Sequence, residues 1–511
     1  MQCIVFTDSQ RLAEKYKTSQ QDVLSLLNKN LMVQQVVEFL LLDTVDYQEE
    51  LGVSPSWENY KEVLSDFMMG MGLQPSPTLS LFIIGGDDVI PMPRILSPIT
   101  ETEDLQADML YCFAENEPTR IEAKYAQCNV GRLPLEDGIL STSLRDDLQS
   151  YFNLSNMMLI SGIDVDKVLM TSTQSWLPAS NDMVRGLPVE EPRYISDATK
   201  GNMYMSPRLS LEDDYVIKQY QNDIGHADML MFNLHGSDMP GYSSFFGEGA
   251  QGHNTPEAFS IDMLRHSGAR IFNTVACFGG RYIGYDRDDS MLLSSLYGGG
   301  VMLYAGSCTS ALGRSGQIHH AAQDALMPSG FSESFMKLYS LYLFQGMSAG
   351  LAFLQAKCDY FNLCRSLDGD DFAMGTILMF NLYGMPVLNV NKQEDVIQEA
   401  RGVKEVHQFN WRKTAEQKTL YSRTSSEGLD ILAEVRSRVD SNLQKIRTVI
   451  ESNLYRYWGL NPSDLQNIYE VSDGTRKSYK FEYITKNAIF SKRSWAIADY
   501  SGNVKDVVHF K

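Results

Sequence analysis

The sequence predicts an α/β protein: two tandem units, each a mostly parallel sheet flanked by helices, then a helix and a small antiparallel sheet. Three observations lead there. Short apolar runs alternate with helical periodicity from the first residues to about residue 390. Several runs break abruptly into small residues, as buried parallel strands do at their C-terminal ends. After Asn391 the alternation stops, giving way to a long amphipathic stripe and then to period-two strands.

In the first unit, residues 1–150, Cys3 to Phe6 reads as a buried strand. Leu12 to Leu27 and Met32 to Leu42 have helical spacing, and Trp57 to Met71 is amphipathic. After Pro75 and Pro77, Leu79 to Ile84 is a strand that ends in Gly85-Gly86-Asp87-Asp88. Ala107 to Phe113 and Gln127 to Val130 read as short strands, and Asp137 to Asn153 as a helix. The second unit, 151–390, restarts the pattern. Strands are expected at Lys167 to Thr171, Asp228 to Leu234, Arg270 to Ala276 and Gly300 to Ala305. Helices are expected at Leu211 to Ile224, Gly330 to Gln345 and Ser348 to Asn362, before Gly375 to Gly384 closes the unit. In the third part, 391–511, Leu432, Val435, Val439, Leu443, Ile446, Ile450 and Leu454 form a stripe at spacings of three and four. Tyr479, Phe481 and Tyr483 alternate, as do Trp495 and Ile497, which reads as a small antiparallel sheet.

At 511 residues the chain exceeds one ordinary core, and 43% hydrophobic content places it among globular proteins. The formal net charge of −20 argues against a nucleic-acid backbone as partner. Seven cysteines, with no CxxC pair, suit a reducing compartment better than a disulfide framework or a zinc site. The N-terminal apolar run is too short for a secretory leader, and no apolar stretch reaches membrane-spanning length. The expectation is a cytoplasmic protein that binds neither nucleic acid nor membrane.

Two strings carry the chemistry. MFNLHGSD delivers His235 at the end of one apolar run, and IFNTVACFGGR delivers Cys277 at the end of another. A thiol and an imidazole at one sheet edge are the parts of a nucleophile and its acid/base partner. Gly279 and Gly280 are expected to let backbone approach a substrate and to leave amide groups for an oxyanion. Cys308, in AGSCTSA, is the nearest rival thiol. Neither Walker-type nor dinucleotide-binding glycine patterns occur.

Taken in order, six strings make the chain similar to the gingipain-type cysteine peptidases, clan CD, of the caspase-like group that includes caspases, legumain, separase and the CHAT proteins. LSLFIIGGDDVIP resembles that family's strand–Gly-Asp–Ile-Pro segment. ADMLYCFAEN followed by NVGRLP resembles its Ser-Asp-x-x-Tyr and Ile-Gly-Arg-Leu-Pro segments. NLHGSD resembles the Gly-His-Gly-Ser motif, and FNTVACFGG the Val-Ala-Cys-x-x-Gly motif. GGGVMLYAGS and FNLYGMPVL follow in the expected places. The resemblance covers roughly residues 1–390 and implies tandem caspase-like (caspase-hemoglobinase) units.

It also implies peptide-bond hydrolysis by a His235–Cys277 dyad, with the oxyanion held by the N–H groups of Gly236 and Cys277. Asp108 falls on the position that lies at the base of the S1 pocket in Arg-directed members, which implies cleavage after Arg or Lys. Ala107 stands where the family has serine, and Met239-Pro240-Gly241-Tyr242 departs from the family's loop. Asp87 or Asp88 is the expected orienting carboxylate, with Glu248 as a further candidate. No cofactor is required. Calcium at Asp286 to Asp289 or Asp368 to Asp371 competes with a reading of those runs as solvated loops. Arg281, Arg287 and Arg314 are candidate self-cleavage sites. The C-terminal module is expected to bind a protein or ligand activator. The alternatives are a catalytically silent scaffold and another thiol hydrolase.

Overall fold

In the computed structural model the described residues are 1–31, 36–52, 55–99, 104–118, 120–173, 176–187, 203–206, 214–238, 243–247, 257–314, 331–368, 370–391 and 447–510. The last stretch has short gaps at 449, 453, 456–459, 473–476, 487–490, 500 and 502–503. Glu248, the Met239–Tyr242 loop and most of the amphipathic stripe lie outside them, as do the side chains of Arg314 and Asp368.

The strands, in chain order, are β1 (Gln2–Thr7), β2 (Glu38–Asp43), β3 (Ser80–Ile84), β4 (Arg94–Leu96), β5 (Asp104–Gln106), β6 (Asn129–Leu133), β7 (Val168–Thr173) and β8 (Met203–Ser206). They continue with β9 (Met229–Asn233), β10 (Ser244–Phe246), β11 (Glu257–Ser260), β12 (Ile271–Thr274), β13 (Leu303–Ser307), β14 (Leu312–Arg314) and β15 (Phe380–Gly384). The last four are β16 (Leu465–Ser472), β17 (Lys477–Lys486), β18 (Ser491–Asp499) and β19 (Val504–Phe510).

Ten of these form one sheet, in the order β2-β1-β3-β6-β15-β13-β12-β9-β7-β8. The β1–β2, β1–β3 and β3–β6 pairs are parallel, as are β7–β8, β7–β9, β9–β12 and β12–β13. β15 runs antiparallel to β13 and meets β6 at the Arg132–Tyr383 bridge. The two stretches that the sequence reads as separate units therefore contribute to a single sheet. They also share one hydrophobic core, which runs from Cys3 to Val390. The strands are apolar on both faces because helices cover both faces, so no alternation marks them. β3, β6, β9, β12 and β13 are buried along their whole length.

Several sequence expectations fail, among them the helix read from Asp137, which has no helical residue before 144. Residues 38–43, read as part of a helix, form β2. A short apolar run carries no periodicity that separates a buried strand from a buried helix. Asp108 to Cys112, read as a strand, is a single tight helical turn, because Asp108 is pulled inward by partners described below. Residues 375–379, read as the start of the closing strand, end the helix Asp370–Met379, and the strand is β15 alone.

The C-terminal module is a second, smaller core of Ile450, Leu454, Leu460, Tyr479, Phe481, Tyr483, Ala496 and Ala498. Its sheet has the order β14-β19-β18-β17-β16. The fifth strand is thus lent by the larger core. Among the described residues no helix is long and apolar enough to cross a membrane.

Candidate active site

β9 and β12 are neighbours in the sheet, with Phe232 opposite Thr274 and the Val275 N–H donating to the Phe232 carbonyl at 3.0 Å. His235 lies three residues beyond Phe232, and Cys277 three residues beyond Thr274. The register alone therefore brings them out side by side at one sheet edge. The contact is direct at Gly236: a Cβ there would fall inside the Cys277 carbonyl oxygen and against the Cys277 amide nitrogen. Only glycine lets these two backbones touch.

His235 is 1% exposed. Its backbone exchanges two hydrogen bonds with Phe246 of the β10–β11 hairpin, each 2.9 Å. The imidazole stands edge-on to Trp176, centroids 4.5 Å apart. Trp176 begins the helix Leu177–Val184, and Ser180, one turn on, bonds the Asn233 side chain at 2.8 Å. Asn233 and His235 share a strand face, so this helix positions both. The same Asn233 amide reaches the fully buried Glu333 carboxylate at 3.5 Å.

Cys277 is 4% exposed, and its Sγ accepts the Ala311 N–H at 3.1 Å. The next residue, Phe278, is held at φ 56°, a left-handed value unusual for a bulky side chain. Its N–H donates to the Thr309 carbonyl at 2.9 Å, and that of Gly280 to the Ser307 carbonyl at 2.7 Å. Gly279 N–H turns back to Ala276. The amides of the two glycines are thus already bonded, one within the loop and one to the end of β13. Their smallness serves packing instead: a Cβ at Gly280 would sit 2.7 Å from the Gly306 carbonyl oxygen.

A solvent-open cleft of about 370 Å³ runs from Cys277 past Ser237, Ser244, Phe278, Arg281 and Asp289. The Arg281 guanidinium lies over the rings of Phe278 and Tyr285, 5.6 and 5.0 Å from their centroids. The N-terminal half buttresses this wall. Gly284 N–H donates to Asp137 at 2.8 Å, and Arg287 pairs with Glu136 at 3.3 Å and Asp147 at 2.9 Å.

Three expected carboxylates are committed elsewhere. Asp108 is 2% exposed and clamped by the fully buried Arg132, at 2.8 and 2.7 Å. Arg132 also donates to the carbonyls of Gly85 and Ile90, at 3.1 and 2.8 Å. Asn381 of β15 accepts the Asp108 N–H at 3.0 Å. Asp108 therefore fastens the seam between the two halves, and no residue of the Cys277 cleft contacts it through these bonds. Asp87 takes the Met92 N–H at 2.7 Å and Arg94 at 2.6 Å. Asp88 takes Lys15 at 2.5 Å and the Gly138 N–H at 3.0 Å. These bonds account for both Asp87 and Asp88 within the N-terminal half, away from His235. Cys308, the rival thiol, is buried at the same seam and donates to the Gln106 carbonyl at 3.1 Å. Among the described residues no group of three His, Cys, Asp or Glu gathers to hold a metal ion.

Trp176, Glu333 and Ala311 were not legible as site residues. Ala311 contributes only backbone groups, its N–H donating to Sγ and its carbonyl accepting from it at 3.7 Å, which leave no mark in a sequence.

No family model matches the sequence, and none of the curated proteins compared with it is similar. Among solved structures, one described as "Structure of Protease" is similar at 10% identity and a TM-score of 0.47, covering 100% of this chain and 97% of that one.

Proposed function

We propose that the protein is a cysteine endopeptidase in which Cys277 is the nucleophile and His235 the acid/base. The observation that carries this reading is the β9–β12 pairing, whose two strands end at one sheet edge just before His235 and Cys277, with Gly236 seated on the Cys277 backbone. In the reaction, the Cys277 thiolate adds to the scissile carbonyl carbon. The oxyanion is held by the Gly236 and Cys277 N–H groups. The C–N bond then breaks, and the imidazolium of His235 gives its proton to the departing amine. Water, deprotonated by neutral His235, hydrolyses the thioester and regenerates the thiol. No cofactor enters these steps.

For specificity, Asp289 takes the place the sequence reading assigned to Asp108. It is the carboxylate on the cleft that holds Cys277, and it is exposed. A carboxylate there favours Arg or Lys at P1. The test is turnover of a peptide library by the wild type beside Cys277→Ala and Asp289→Asn. Cleavage after basic residues, abolished in the first variant and weakened about tenfold in the second, is expected. Cleavage after other residues that survives in Asp289→Asn removes the specificity assignment. Turnover that persists in Cys277→Ala, or no turnover either in the wild type or in a chain whose C-terminal sheet has been released, removes the peptidase.

A further inference from the structure

We infer that the C-terminal sheet is a latch on the nucleophile: β19, paired with β14, holds Cys277 in a closed setting, and its release opens the thiol. The inference deepens the peptidase reading and rests on it for the role of Cys277. The path is short. Ala311, whose N–H is bonded to Sγ, is the residue immediately before β14. β14 is three residues long, and β19 pairs with all of it, Leu312 opposite Phe510, Gly313 opposite His509 and Arg314 opposite Val508. Sγ accepts the Ala311 N–H at 3.1 Å and meets the Ala311 carbonyl at 3.7 Å, so this backbone covers part of the sulfur, and Cys277 is 4% exposed in this arrangement. The loop after Cys277 is tied to the same segment through Thr309 and Ser307.

The latch belongs to a separate body. Among the described residues, the small core that includes Ile450, Tyr479, Phe481 and Ala498 shares no residue with the core running from Cys3 to Val390. The β14–β19 ladder is thus a strand added to a foreign sheet edge, the mode by which extended segments dock and exchange. A three-residue ladder of this kind is a modest energetic link, since each backbone hydrogen bond adds little net stability. A module with its own core can leave the ladder without unfolding the catalytic sheet.

The test measures alkylation of the full chain by iodoacetamide, with each labelled cysteine located by peptide mapping. It compares the wild type with a chain ending at Asn503 and with the double variant Val508→Pro/Phe510→Pro, which keeps the length but disrupts β19 where it pairs with β14. Cys277 is expected to react about tenfold faster in both variants, while the buried Cys3, Cys112, Cys128, Cys308 and Cys358 stay unchanged. An unchanged or slower rate at Cys277 overturns the latch, and so does a rise at all six thiols together, which would be general loosening. Peptide turnover is followed alongside. Faster labelling with no turnover in any variant keeps the latch and removes the peptidase. Turnover with unaltered labelling does the reverse.

Discussion

At the scale of single residues, the site depends on atoms that are missing rather than present. Gly236 has no Cβ, and that absence is what joins the histidine loop to the cysteine loop. Gly236→Ala should lower kcat/KM by about a hundredfold, since a displacement near 1 Å in a reacting pair has that effect; steady-state kinetics at normal fold content checks it. Asp108 carries the opposite lesson. In the sequence it is an isolated carboxylate, and nothing nearby announces that Arg132, on β6, closes on it from 24 residues away. Its contribution is to stability. Asp108→Asn should cost about 3–5 kcal/mol, because it strands a buried guanidinium, and P1 preference should not change. Denaturant titration beside substrate profiling measures both. Lys357 gives a pH signature. Burial pushes its ammonium down to about 8, against smaller opposing effects of nearby Cys112 and Asp108. Its ordinary value is 10.5, so between pH 8 and 10.5 the unfolded chain holds a proton that the folded one has lost. Stability from this group therefore rises with pH across that window and is withheld below it. Lys357→Met should remove that rise. Equal pH dependence of the melting midpoint in the two proteins would refute the assignment.

At the scale of elements, β9 and β12 were legible because a buried parallel strand shows itself twice, as an apolar run and as a sudden break into glycine. β2 was not, since its six residues look the same as a helix segment when both faces are covered. β8 escaped for a related reason: Met203–Ser206 is short and has neither a strong run nor a glycine stop. The glycines after Cys277 were found, but their use was misread, because sequence shows that backbone comes close and not to what. The helix Leu177–Val184 is the element whose role emerged only from structure, through Trp176 on the imidazole and Ser180 on Asn233. Trp176→Ala should lower kcat with little change in KM, by about tenfold, because ring orientation and not substrate contact is lost. A change confined to KM would place Trp176 in substrate binding instead.

At the scale of the molecule, one ten-stranded sheet and one small satellite core make two cooperative bodies. Calorimetry should resolve two transitions, with the smaller shifted by Val508→Pro/Phe510→Pro. A single endotherm whose van't Hoff and calorimetric enthalpies agree would mean the two cores melt as one. The shared ladder has a further consequence during synthesis. Ribosomes add about 5–20 residues per second, and Leu312 must wait for Phe510 to be made, an interval of about 10–40 s. Once Gly384 has been made the larger sheet has every strand it needs, while β14 stands with its pairing edge bare until β19 follows. The newborn chain thus passes through a stage that the finished one has left behind, in which the strand beside its thiol is open to any extended polypeptide emerging nearby, its own included.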